Sequence, residues 1–276
     1  MSPLQAPAHW RAIEFISDLH LSESAPRTVA ALLDHLRHSD ADAILLLGDV
    51  FEIWIGDDVL DPPPLAAEPP DGAAGPHRRG FEADLLGTLA DCLQHRWVGF
   101  MAGNRDFLVG ADALQRCGWH ALPDPLVLDA FGQRLLLSHG DALCLADHDY
   151  QIFRAQSRQP DWQARFLGQP LGTRRVIARQ LRDESENRKN SVGFDGYADV
   201  DSAEALRWLQ AAGAHTLVHG HTHRPGRQPL DSEHTRWVLS DWDLDHAATP
   251  RADLLRLSAQ GLERITPAAL APRLTP

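Results

Sequence analysis

Thr216-Leu-Val-His-Gly-His-Thr-His-Arg-Pro225 is the stretch on which the reading of this chain turns. A short apolar run stops at a histidine, and a glycine then lets the backbone turn, so that His221 and His223 can reach two adjacent cations. Four more apolar runs end in the same way. "IEFIS" leads into Asp18-Leu19-His20, "AILLL" into Gly48-Asp49, "WVGFM" through Ala102 into Gly103-Asn104-Arg105-Asp106, and "RLLL" into Ser138-His139-Gly140-Asp141. A carboxylate and an imidazole two apart at a strand end project to one side. An Asp at the carboxyl end of a strand sits where open α/β sheets place ligands. Asn104 adds a neutral amide oxygen, which keeps a two-cation site from being over-neutralised. Alone, each pattern also fits a capped surface turn. Together, and each just after an apolar run, they point to a dinuclear metal site that handles phosphate, with Arg105 able to contact a phosphate through two parallel hydrogen bonds.

The six runs Ile13 to Ile16, Ala43 to Leu47, Trp97 to Met101, Arg134 to Leu137, Thr216 to Val218 and Arg236 to Leu239 read as strands. Between them, Val29, Leu32, Leu33 and Leu36, and then Leu85, Leu86, Leu89 and Leu93, repeat at helical spacing. The alternation predicts an α/β layered fold. Asp61 to Gly80 holds six of the nineteen prolines and reads as an exposed, mobile loop. Gln151 to Arg182 scatters apolar and aromatic residues among arginines without a strand run, and reads as a helical cap. The expected organisation is a core of 12–150 and 195–256, a cap of 151–194, and flexible termini at 1–11 and 257–276.

The 276 residues, 43% apolar and 23% charged, describe a globular chain of one or two domains. The N-terminus has neither the basic start nor the apolar core of a signal peptide, and no run is long enough to span a bilayer, so any membrane contact is expected to be peripheral. Three cysteines without a C-x-x-C pair suit a reducing compartment. The net charge of -12 argues against a general nucleic-acid binder, although Arg154 to Lys189 carries nine basic residues against four acidic ones and could face an anionic substrate or membrane.

The motifs D-x-H, G-D, G-N-R-D, H-G-D and G-H-x-H, in this order, resemble the calcineurin-like metallophosphoesterases. "FISDLHL", "GDVFEIWIGDD", "AGNRDFLVG", "SHGDALCLADHDYQIFR" and "HGHTHRP", with Arg105 where most members carry His, resemble more closely the UDP-2,3-diacylglucosamine pyrophosphohydrolases of lipid A biosynthesis. The resemblance implies a layered β-sheet core flanked by helices, with an inserted cap. It implies two Mn²⁺, with Mg²⁺ possible. Asp18, His20, Asp49 and His223 would hold one ion, and Asp49, Asn104, His139 and His221 the other, with Asp49 bridging. A metal-bridging water would be the nucleophile at the α-phosphorus, with Arg105 stabilising the diphosphate. Asn104, Arg105, Asp147, Ser185, Lys189, Asn190 and His221 would bind substrate, and Phe107 and Leu108 are candidates for contact with sugar or acyl chains. The substrate would be an acylated nucleotide sugar met at the cytoplasmic face of the inner membrane. The runner-up is a phosphoesterase of other specificity, acting on a cyclic nucleotide or a nucleotide sugar. Asp106, Asp141 and His219 are expected to orient the ligands from outside.

Overall fold

The computed structural model describes residues 2–61, 80–192, 198–267 and 270; over 183–192 it describes the backbone alone. The Pro-rich loop expected at Asp61 to Gly80 lies, but for its ends, outside the described residues.

Among the described residues, twelve strands form two six-stranded sheets. The first has the order β12 (Gly261–Ile265), β11 (Leu254–Ser258), β2 (Ala12–Ile16), β3 (Ala43–Leu47), β4 (Trp97–Met101), β5 (His120–Leu122), and the four strands from β2 to β5 are parallel. The second has the order β1 (Leu4–Gln5), β6 (Leu126–Ala130), β7 (Gln133–Ser138), β8 (Thr216–His219), β10 (Thr235–Val238), β9 (Gly226–Pro229), with β7, β8 and β10 parallel.

The sheets face each other. Ile13, Phe15, Ala43, Leu45 and Leu47 from one bury against Leu126, Leu128, Leu135, Leu137 and Val218 from the other. The alternate residues Ile16, Ile44 and Leu46 bury on the opposite face, under Leu32 and Leu36 of α1 (Pro26–His38) and Leu85, Leu86 and Leu89 of α2 (Phe81–Leu93). Burial on both faces is why β2 and β3 read as near-unbroken apolar runs and not as alternating ones. α3 (Ala111–Cys117) adds Ala113 to that layer, and α7 (Ser202–Ala212) covers the outer face of the second sheet with Ala205 and Leu209. The result is a four-layer α/β/β/α stack.

All six expected strands are present, within a residue at each end. Strand pairing also reaches into both stretches expected to be flexible. Leu4 pairs with Leu128, Trp10 is buried, and β11 and β12 form a hairpin in which Leu257 pairs with both Ile13 and Leu262. The segment read as a cap folds as α4 (His148–Ser157), α5 (Pro160–Leu167) and α6 (Leu171–Val192). α6 is anchored near its start by Arg174, only 2% exposed, whose guanidinium donates to the Ile55 carbonyl, to Asp58 and to the Gln169 carbonyl.

Candidate metal centre

Five strands end at one place. Asp18 and His20 follow β2, Asp49 follows β3, Asn104 follows β4, His139 follows β7, and His221 and His223 follow β8. The sequence reading has the Asp18–His20 pair converge through strand pleat; the backbone does something else. Asp18, His20, Asp49, His221 and His223 all adopt positive φ, between 46° and 65°. Among the described residues the one other non-glycine residue with positive φ is Phe131. Each such left-handed conformation costs about 1–3 kcal/mol unless its surroundings hold it.

These five residues meet Asn104 and His139, so that seven side chains lie together. His20 Nε2 lies 3.4 Å from His223 Nε2, which lies 3.4 Å from Asp18 Oδ1. Beside this trio, Asn104 Oδ1 is 3.0 Å from His139 Nε2 and 2.8 Å from His221 Nδ1, and His139 Nε2 is 3.7 Å from Asp49 Oδ1. Donor atoms of Asp18, His20 and His223 all lie within 4.8 Å of one another, as do those of Asp18, Asp49 and His139, so the two poles adjoin. The cradle leaves no room for larger neighbours: a Cβ at Gly103 would sit 2.1 Å from Asp49 Oδ1, and one at Gly220 2.2 Å from Asp18 Oδ2.

Electrostatics mark the same place. Burial opposes charge on His139, yet Asp49, Asp18 and Asp141 outweigh it and raise its pKa to about 9. His223 is likewise raised to about 9, burial being outweighed by Asp18 and Asp241. His221 goes the other way, to about 4, through burial and repulsion by His139. A carboxylate-rich pocket that pulls protons onto buried imidazoles attracts a cation, and a bound divalent ion takes the place of those protons. The donor set, oxygen and nitrogen with no thiolate, fits a hard or borderline divalent ion.

Residues 13–225 match the family model of the calcineurin-like phosphoesterases. The chain belongs to that family. It is also 42% identical to a UDP-2,3-diacylglucosamine hydrolase of Chromobacterium violaceum, over 84% of this chain and 90% of the relative. A protein of the same name from Bordetella pertussis is 41% identical, over 94% of this chain and 95% of its own. Another from Stenotrophomonas maltophilia is 40% identical, over 90% and 95% respectively.

In this phosphoesterase the imidazoles of the cluster meet groups that lie outside the five motifs. His139 Nδ1–H donates to the Leu47 carbonyl at 2.9 Å, which directs Nε2 inward. His223 Nδ1 lies 3.4 Å from Asp241 Oδ2, and Arg251 clamps Asp241 through Nε at 2.8 Å and through Nη2. His20 Nδ1 lies 3.1 Å from Glu52 Oε2. Burial raises the pKa of Glu52, but His20, Arg105 and Arg182 outweigh it and lower the pKa to about 2. Asp241 follows a predicted strand just as the five motifs do, a signal that could have found it.

The three residues expected to orient the rings do other work. Asp106 accepts from the Val50 and Gly103 N–H groups, both at 2.7 Å, and so ties the loop after β3 to the loop after β4. Asp141 accepts from the Tyr150 hydroxyl and from Arg154 Nε, which fixes α4 to the core. His219 Nδ1–H donates to the Gly220 carbonyl inside its own loop.

Around the rim, the Arg105 N–H donates to Asp49 Oδ1 at 2.8 Å, and its guanidinium is 4.0 Å from Glu52 Oε1. Asp147 is the N-cap of α4, where Oδ1 accepts from the Tyr150 N–H, and the Tyr150 ring stacks over His221 at 6.0 Å. Ser185, Lys189 and Asn190 fall on the last turns of α6, and their side chains are outside the described residues. Phe107 packs against α4 and α5, in contact with Phe153 and Trp162 and covered by the Arg158 guanidinium, whereas Leu108 is core.

Proposed function

We propose that this hydrolase cleaves the diphosphate of UDP-2,3-diacylglucosamine, water attacking the α-phosphorus and the anhydride P–O bond breaking to give UMP and 2,3-diacylglucosamine 1-phosphate. The observation that carries the reading is the pair of adjoining oxygen and nitrogen clusters, within a chain about 40% identical along most of its length to proteins named for that substrate. Asp18, His20, Asp49 and His223 would hold one ion, and Asp49, Asn104, His139 and His221 the other, with two Mn²⁺ favoured over Mg²⁺ by the four imidazoles. Two such ions supply a water of lowered pKa and neutralise charge on the phosphoryl oxygens.

The chain's own residues do the rest. Arg105, fixed by its backbone contact to Asp49, stands at the rim where its guanidinium can bind the diphosphate through paired hydrogen bonds. A guanidinium does not give up a proton, and none is needed: the leaving group departs as a phosphate monoester anion. Asn104 and His221 would serve both metal and substrate, and Asp147, Ser185, Lys189 and Asn190 are the further residues assigned to substrate binding.

The cap suits an acylated substrate. Phe107, Phe153, Trp162 and Phe166 form one aromatic cluster next to the Asn104 loop. The large apolar side chains that stay exposed among the described residues, Leu145, Ile152, Leu167, Val176 and Leu181, all belong to the cap or to the loop entering it. Among the described residues no helix is long and apolar enough to cross a membrane, and this apolar, arginine-rich face supports peripheral contact with the inner membrane.

The test is hydrolysis of UDP-2,3-diacylglucosamine with Mn²⁺ and with a chelator, beside UDP-N-acetylglucosamine and a cyclic nucleotide. Metal-dependent release of UMP from the acylated compound is expected. Equal or faster turnover of the unacylated compounds would move the assignment to a phosphoesterase of other specificity.

A further inference from the structure

Glu52 stands outside both ligand sets, yet three parts of the molecule meet on its carboxylate. Oε2 is 3.1 Å from His20 Nδ1, on the ring edge away from Nε2, an ion-pair contact in which the ring nitrogen and the carboxylate are not aligned as a hydrogen bond. Oε1 is 2.9 Å from Arg182 Nε of α6 and 4.0 Å from Arg105 Nη1. One oxygen therefore serves the ion pole and the other serves the cations of the cap and the rim. The carboxylate is only 15% exposed, and its backbone is pinned by the Glu52 N–H bond to the Leu21 carbonyl, beside the bridge pairing Leu21 with Phe51. It cannot turn toward one partner without leaving another.

We propose that Glu52 is a positioning residue that couples docking of α6 on the core to loading of the ion held by Asp18, His20 and His223. With Arg182 in place, Oε1 is held by the cap and Oε2 stays on His20, fixing the ring with Nε2 toward His223. Without it, Oε1 is left among the described residues with the more distant Arg105, and the carboxylate can swing off the ring. Coupling of this kind is reciprocal: whatever factor α6 docking adds to ion affinity, the ion adds to α6 docking. An ordinary half-exposed ion pair would contribute little, about 0–1 kcal/mol, and nothing to a metal site. What sets this one apart is that its carboxylate also orients a ligand ring, an arrangement whose loss lowers metal affinity by about 10–100-fold.

The inference rests on the proposed assignment of those three side chains to one ion, and the experiment separates the two. Mn²⁺ binding isotherms are measured by electron paramagnetic resonance of the free ion on the full chain, for wild type, Glu52→Gln, Arg182→Gln and the double variant. Melting in chelator serves as the control for folding, and Arg182 is 39% exposed, so its replacement leaves the fold intact. The wild type is expected to bind two ions. Glu52→Gln should weaken one of them by about 10–100-fold. Arg182→Gln should weaken the same ion by a smaller factor, and the double variant should match Glu52→Gln alone, because Arg182 acts through Glu52. Two ions held at wild-type affinity in Glu52→Gln or in Arg182→Gln, or losses that multiply in the double variant, would overturn the coupling while leaving the metal assignment standing. A wild type that binds no ion would overturn both.

Discussion

Replacing Gly103 with alanine adds one methyl group at the most crowded point of the site. The backbone tolerates it, since Gly103 lies outside the left-handed region; the space does not. The new Cβ would be 2.1 Å from Asp49 Oδ1 and 2.4 Å from the Asp49 backbone nitrogen, against the 3.4 Å at which ordinary contact begins. The second distance matters more, because a backbone atom cannot rotate away. Asp49 or the Gly103 loop must retreat by about 1 Å, and a displacement of that size in a reacting constellation costs about 10²-fold in rate. Two neighbouring contacts are strained by the same retreat: the Arg105 N–H bond to Asp49 and the Gly103 N–H bond to Asp106. The assay is steady-state hydrolysis of UDP-2,3-diacylglucosamine at saturating Mn²⁺, with the ion stoichiometry measured in parallel. A fall of about 10²-fold in kcat with weakened binding of an ion is expected. An alanine variant within threefold of wild type and holding two ions would show that Asp49 has no bridging position to lose, and would refute the reasoning.

Arg105→His is expected to lower kcat/KM for the diphosphate by about 10–100-fold, the worth of a hydrogen bond to a charged group; undiminished turnover would count against a phosphate contact. Asp241→Asn should weaken one Mn²⁺ by about 10–100-fold in a binding isotherm while Arg251, left without its carboxylate, adds some loss of melting temperature. The pKa values of His139 and His223, raised to about 9, make the ion-free protein pH-dependent: their contribution to stability is complete below the unfolded-state value near 6.5 and disappears as pH rises through 9. Chelator-treated protein should therefore melt progressively lower between those limits, and Mn²⁺ binding, which must displace the same protons, should tighten over the same range. Ile152→Glu on the exposed face of α4 should abolish co-sedimentation with anionic vesicles without shifting stability by more than about 0.5 kcal/mol; unchanged sedimentation would remove α4 from the membrane-facing surface.

β2, β3 and β4 were legible because burial on both faces writes them as apolar runs, and each run led into a residue with coordinating chemistry, whereas β5, parallel to β4 but largely exposed, carries no such run. The strands that escaped notice are those whose sense lies in distant partners. Arg256 interrupts "LLRLS" and makes it look like the start of a tail, but its guanidinium is 3.1 Å from the buried carboxylate of Glu14 on β2, and Leu255 and Leu257 face the inter-sheet core. "LVLDA" carries Asp129 in the middle for a like reason, since that carboxylate pairs with Arg134 across the β6–β7 hairpin. All seven residues expected to be ligands do converge, whereas their ring partners could not be read locally. Glu52 lies in a loop three residues past Asp49, and nothing near it in sequence announces His20 or Arg182. The left-handed turns were also invisible, because local patterning predicts only that a strand continues or stops.

Those turns restrict which amino acids the site can use at all. Asp, Asn and His are the non-glycine residues that enter left-handed backbone most readily, and they are also the ones that bind hard and borderline cations. At Asp18, His20, Asp49, His221 and His223, then, backbone shape filters the side chain before coordination does. A Glu in place of Asp18 would keep the charge but meet a steeper conformational cost, and a Cys at His223 would meet the same cost while inviting a softer metal. The sheet tops thus act as a spelling rule with a three-letter alphabet, and the chemistry open to the pocket is written partly in its dihedral angles.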